Sequence, residues 1–118
     1  MTSRTKLKNE IYRTTFDITS KRYSDDHWQG VEDIRQAIVQ AMNNLGADEY
    51  DFYIHVKQGT GGYRTSDDGM NYWKEYRIVI FKSSSMKEAL IGHLNCHAAG
   101  TYDEPFKYYD MSLSISFA

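Results

Sequence analysis

Hydrophobic and polar residues alternate along "YRTTFDI", with Tyr12, Thr14, Phe16 and Ile18 on one side and Arg13, Thr15 and Asp17 on the other. A period of two predicts a half-buried strand over 12–18. The period then lengthens. Trp28, Val31, Ile34, Ile38, Met42 and Leu45 recur at steps of three and four, the apolar stripe of a helix. Ser24 fits its N-cap, Tyr23 and Trp28 the hydrophobic staple, and Asp25 and Asp26 the positive end of the dipole. Gly46 fits the left-handed stop.

Phe52, Ile54 and Val56 alternate with Tyr53, His55 and Lys57, predicting a second strand. Tyr76, Ile78 and Ile80 mark a third. Ser85 and Glu88 match a capping box, and Met86, Leu90 and Leu94 follow at helical steps up to Gly100. Tyr109, Met111, Leu113, Ile115 and Phe117 against Asp110, Ser112, Ser114 and Ser116 make the tail a last strand.

Strand, helix, strand, strand, helix, strand is the βαββαβ order of a ferredoxin-like α+β sandwich, a four-stranded antiparallel sheet with two helices on one face. The expected strand order is 4-1-3-2. Length supports one domain over 1–118, with residues 1–8 as a loose lead. The last strand would then be an edge bearing no lysine or proline, open to a homodimer or a partner strand.

The segment 58–71, "QGTGGYRTSDDGMN", would be a long hairpin loop. It lacks the helix N-terminus that a phosphate-binding glycine loop needs, and Asp67 with Asp68 would repel phosphate. "HLNCH" puts His93 and His97 at a helical spacing that can hold zinc, with Cys96 between them. No glutamate or second cysteine pair completes the pattern, so neither metal nor cofactor is expected. Cys96 inside a helix would lack the activation of a nucleophile.

Net charge is −2, and lysine and arginine are nowhere clustered, which argues against direct binding of nucleic acid or an anionic membrane. A single cysteine fits a reducing, cytoplasmic setting. No apolar run approaches a membrane span.

In the expected fold the turns after the first strand, at the hairpin and after the second helix meet at one end. They gather Asp25, Asp26, Asp67, Asp68, Asp103 and Glu104 against Lys21, Arg22 and Arg64, with Tyr63 and Tyr102 among them. Tyrosines among carboxylates on loops suit a protein-binding edge. The expectation is a non-catalytic protein of the inhibitor or immunity type, such as a phage- or mobile-element-encoded blocker of host machinery. Tyr63, Arg64, Asp67, Asp68, Tyr102, Asp103, Glu104, Asp25 and Asp26 would contact a basic protein surface, for instance that of a nucleic-acid-binding protein or complex. The alternative is a nucleic-acid-associated domain using Arg13, His55, Lys57 and Arg77 on an open sheet face. A metal-dependent enzyme built on His93 and His97 ranks third.

Overall fold

Ser3 opens the first element. In the computed structural model, which describes residues 1–23, 27–57, 61–64, 69–101 and 109–118, its hydroxyl accepts from Lys6 N–H at 3.1 Å. This N-cap starts helix α1, Arg4–Thr19. The segment 12–18 is therefore helical, not a strand. Leu7, Ile11 and Thr15 form its buried stripe, at steps of four, while Phe16 is 66% exposed. The alternation over 12–18 was too short to exclude a helix, because Leu7 and Ile11 just ahead of it supply the longer period. Thr15 is tolerated inside because its hydroxyl donates to the Ile11 carbonyl at 2.7 Å. Residues 1–8 are correspondingly anchored rather than loose. Thr2 N–H donates to Glu49 Oε1 at 2.7 Å, and Tyr50 Oη donates to the Thr2 carbonyl at 2.8 Å.

Short strand β1, Arg22–Tyr23, precedes helix α2, His27–Leu45. Val31, Ile34, Ile38 and Ala41 are its buried stripe, as the period predicts, and Gly46 ends it with φ +58°. The expected caps Ser24, Asp25 and Asp26 lie outside the described residues. Strands β2 (Tyr50–Val56), β3 (Gly61–Arg64), β4 (Gly69–Lys82), β5 (Glu88–Thr101) and β6 (Tyr109–Phe117) follow.

The second expected helix is thus strand β5. Its true signal is the alternation of Leu90, Gly92, Leu94 and Cys96, all buried, with Ile91, His93, Asn95 and His97, partly or well exposed. Leu90 and Leu94 satisfy both readings, because positions four apart share a face in a strand as well as in a helix. The capping-box serine serves a turn instead: Ser85 Oγ accepts from Lys87 N–H at 3.3 Å between β4 and β5. Met86 takes φ +59° there. Ala, Leu, Lys and Glu favour helix locally, and pairing on both sides of β5 overrides that preference.

The class is α+β, with two helices and an antiparallel sheet built on four principal strands among the described residues. The order of elements is αβαβββββ rather than βαββαβ, and the strand order is β1-β6-β5-β4-β2 rather than 4-1-3-2. β3 pairs with β4 beyond the end of β2, along the same side. Within the expected loop 58–71, residues 61–64 and 69–71 are therefore strand, and 58–60 and 65–68 lie outside the described residues.

One core cluster joins Leu7 and Ile11 of α1, Val31, Ile34 and Ile38 of α2, and the inward rows of the sheet. Those rows include Tyr76, Ile78 and Ile80 of β4, Leu90, Leu94 and Cys96 of β5, and Met111 and Ile115 of β6. Thr14 Oγ1 also donates to the Ala37 carbonyl at 3.0 Å, pinning α1 to α2.

The edge of β6 is not bare. β1 pairs with its first residues, Arg22 with Asp110 and Tyr23 with Tyr109. Further along, Tyr12 Oη accepts from Ile115 N–H at 2.6 Å and donates to the Ile115 carbonyl at 3.4 Å. A side-chain hydroxyl here occupies the groups that an added strand would use. Tyr12→Phe is expected to cost about 1 kcal/mol. It should also raise the amide exchange rate of Ile115, which denaturation and hydrogen-exchange measurements would read.

Candidate binding surfaces

Register fixes what the face of the sheet opposite the core carries. His55 of β2 stands across from Arg77 of β4, Arg77 from His93 of β5, and His93 from Ser114 of β6. Neighbouring strands lie about 5 Å apart, so these four residues form one row across the sheet. Tyr53, Val79, Ile91 and Ser116 form the next row. Tyr53 lies 5.6 Å from the His55 ring and 6.0 Å from that of Phe81.

The cations on this face have acidic neighbours. Lys57 Nζ is 3.5 Å from Glu75 Oε2, and Arg77 Nη2 is 4.0 Å from Glu88 Oε2. Arg77 Nε is buried without a hydrogen-bond partner among the described residues. Arg13, expected beside these residues, lies on α1 instead. Its guanidinium grips both carboxylate oxygens of Glu10, and that hydrogen bonding holds the Glu10 carboxyl below its ordinary range.

The histidine pair is also rearranged. On a strand, His93 and His97 are separated by four residues, about 13 Å, too far to share one ion. Cys96 points the other way, into the core, where burial pushes its thiol up to about 12. It remains a protonated thiol at neutral pH, the wrong state for a nucleophile. No group of three His, Cys, Asp or Glu residues could hold a metal ion among the described residues.

Of the acidic, tyrosine-rich set, Tyr63 and Arg64 lie on β3, where their backbones pair with Asn71 and Met70. Asp25, Asp26, Asp67, Asp68, Tyr102, Asp103 and Glu104 lie outside the described residues. The described residues that flank them meet at one end of the sheet. Gly69, which follows 65–68, pairs with Thr101, which precedes 102–108. Tyr109, which follows 102–108, pairs with Ala98 on one side and with Tyr23, just before 24–26, on the other. Three strand pairings therefore bring together ends that the expected ferredoxin-like order would have joined by another route.

Two features were missed in the sequence. His55 and Arg77 were expected on one face, but adding His93 to complete the row needed β5 to be a strand, and the alternation over 90–97 was the available signal. A groove of about 380 Å³ between α2 and β2, lined by Trp28, Val31, Arg35, Ile54 and Val56, needed the tertiary placement of both elements. Lys74 Nζ sits 4.3 Å above the Trp28 ring beside it. No helix among the described residues is long and apolar enough to cross a membrane. The chain matches no protein-family model and no curated protein.

Proposed function

We propose that this chain is a cytoplasmic, non-catalytic binding protein of the inhibitor type, which occludes a basic surface on a partner protein. The observation that carries the reading is the meeting, at one end of the sheet, of the strand ends that flank 24–26, 65–68 and 102–108. Those segments hold Asp25, Asp26, Asp67, Asp68, Tyr102, Asp103 and Glu104, and Tyr63 and Arg64 adjoin them on β3. Tyrosine supplies contact area at low entropic cost, and the carboxylates steer encounter with a basic groove of the kind that binds nucleic acid. Phage- or mobile-element-encoded blockers and immunity proteins act in this manner.

The test is capture of partners from native-host lysate at low and high salt, with and without nuclease. A stoichiometric protein that survives nuclease and weakens with salt is the expected result. With that partner in hand, Asp67→Lys combined with Asp68→Lys should weaken binding about tenfold and flatten the salt dependence. Unchanged affinity would remove these residues from the site.

The row His55–Arg77–His93 favours a second reading, a nucleic-acid-associated face with Lys57 at its margin. Recovery of nucleic acid, or loss of the partner on nuclease treatment, would put that face first. Negligible affinity for single-stranded RNA and DNA at low salt would eliminate it.

A further inference from the structure

β2 ends the sheet, and its outer side pairs with no strand among the described residues. Lys57 N–H donates to the Glu75 carbonyl and Ser83 N–H to the Glu49 carbonyl, both at 2.9 Å. Odd-numbered residues of β2 therefore turn their backbone groups toward β4, and Phe52, Ile54 and Val56 turn theirs outward. The edge is apolar as well as unpaired, with Val56 47% exposed.

The stretch from Asp51 to Lys57, "DFYIHVK", is complementary to itself when reversed about Ile54. Antiparallel pairing of two copies sets Ile54 against Ile54, Phe52 against Val56, Tyr53 against His55 and Asp51 against Lys57. The phase agrees with the backbone, because the outward-facing residues 52, 54 and 56 fall on the hydrogen-bonded pairs. Both opposite-charge pairs and both aromatic pairs then fall on the closer, non-hydrogen-bonded positions of the open face, where cross-strand contacts are strongest.

From these features we infer that β2 is a homodimer edge, joining two copies about a two-fold axis at Ile54 into one continuous antiparallel sheet. The helix side of this edge is shaped for the same partner. Phe52 of the second copy would stand opposite Val56, beside the groove of about 380 Å³ that Trp28, Val31 and Ile54 line. Val56 of the second copy would stand opposite Phe52, beside a smaller hollow of about 230 Å³ next to Val39 and Met42. Two local contacts are involved: Lys57, 3.5 Å from Glu75 Oε2, becomes shared with Asp51 of the other copy, and one hydrogen bond is exchanged. Phe52 N–H, which donates to Asp51 Oδ1 at 2.8 Å, is released to a partner carbonyl as the Asp51 carboxylate turns to the lysine of the other copy.

Sedimentation velocity over a range of concentrations tests the inference. The wild-type chain is expected to dimerise. Lys57→Glu alone and Asp51→Lys alone each introduce two like-charge contacts and should weaken the dimer roughly tenfold. The double variant D51K/K57E should restore it, and circular dichroism of each variant verifies folding. Register is read separately by mixing Tyr53→Cys chains with His55→Cys chains under mild oxidation. A mixed disulfide should form much faster than either chain links to itself, because residues 53 and 55 face each other across the two-fold. A chain that stays monomeric at millimolar concentration overturns the inference and leaves the edge to an extended segment of another protein. A dimer indifferent to both single reversals, or not restored by the double variant, overturns it too and puts the contact elsewhere, the β6 edge included. Either outcome leaves the reading of the acidic end untouched.

Discussion

Ile11→Ala is expected to cost about 3 kcal/mol of unfolding free energy, whereas Phe16→Ala should change it by less than about 0.5 kcal/mol. Ile11 is fully buried between the helices and the sheet, in the same cluster as Ile34, Ile38 and Leu90. Truncating it removes three carbons from contact and leaves a cavity that two anchored helices can close only in part. Phe16, on the outer face of α1 at 66% exposure, gives up little packing, and alanine is the better helix former. A strand over 12–18 with Phe16 inward would reverse this ranking, so urea denaturation of the two variants separates the two conformations. Loss of stability in Phe16→Ala equal to that in Ile11→Ala would contradict α1 as described.

Gly92→Val should cost a similar amount, about 3 kcal/mol, for the opposite reason. Gly92 lies in the middle of β5 on the core face, opposite Ile78 of β4 and Ile115 of β6. A Cβ at this position would stand 3.2 Å from Ile78 Cβ. That atom is fixed to the backbone of a residue only 1% exposed, so the neighbour cannot swing aside. Valine adds two further methyl groups to the same crowded space. Gly92→Ala should cost about 1 kcal/mol, with its sign the more informative result. Had 85–100 been a helix, alanine in place of an interior glycine would have stabilised the chain by about 1 kcal/mol. Thermal or denaturant unfolding of the alanine variant reads that sign directly.

Two errors of opposite kind explain how the class could be read while the topology was lost. One segment taken for strand is helix α1, and one taken for helix is strand β5. Among the described residues the exchange preserves two helices, four principal strands and the pairing of β2 with β4, but re-routes the rest of the sheet. Once 85–100 was assigned to a helix, the first half of β4 lost its partner on the β5 side, and glycines at 59, 61, 62 and 69 looked like punctuation. With β5 in place, Gly61 pairs with Trp73 and Gly69 with Thr101 as ordinary strand positions.

The candidate surfaces divide in the same way. Acidic and tyrosine-rich segments were visible as composition, and the described strand ends beside them meet through pairing of β4 with β5, β5 with β6 and β6 with β1. Of the row His55–Arg77–His93, the first two were expected on one open face, and His93 was missed because its strand was assigned to a helix. The self-complementary run in β2 stood in the sequence throughout. Its meaning depended on β2 lying at the rim of the sheet with residues 52, 54 and 56 turned outward.

By itself the sequence determined α2, whose six-residue apolar stripe and terminal Gly46 admit one period, β2 and β6, where alternation persists through β-branched and aromatic residues, and the second half of β4, an apolar, mostly β-branched run over 78–81. For α1 and β5 the sequence carried signals for both conformations, and tertiary structure decided between them. Leu7, Ile11 and Thr15 of α1, and Leu90 and Leu94 of β5, lie four positions apart, a step that keeps one face in either conformation, and local propensities differ by only about 1 kcal/mol per residue. Long-range burial against a shared core is larger than that difference, so the choice was made by the partners each segment found.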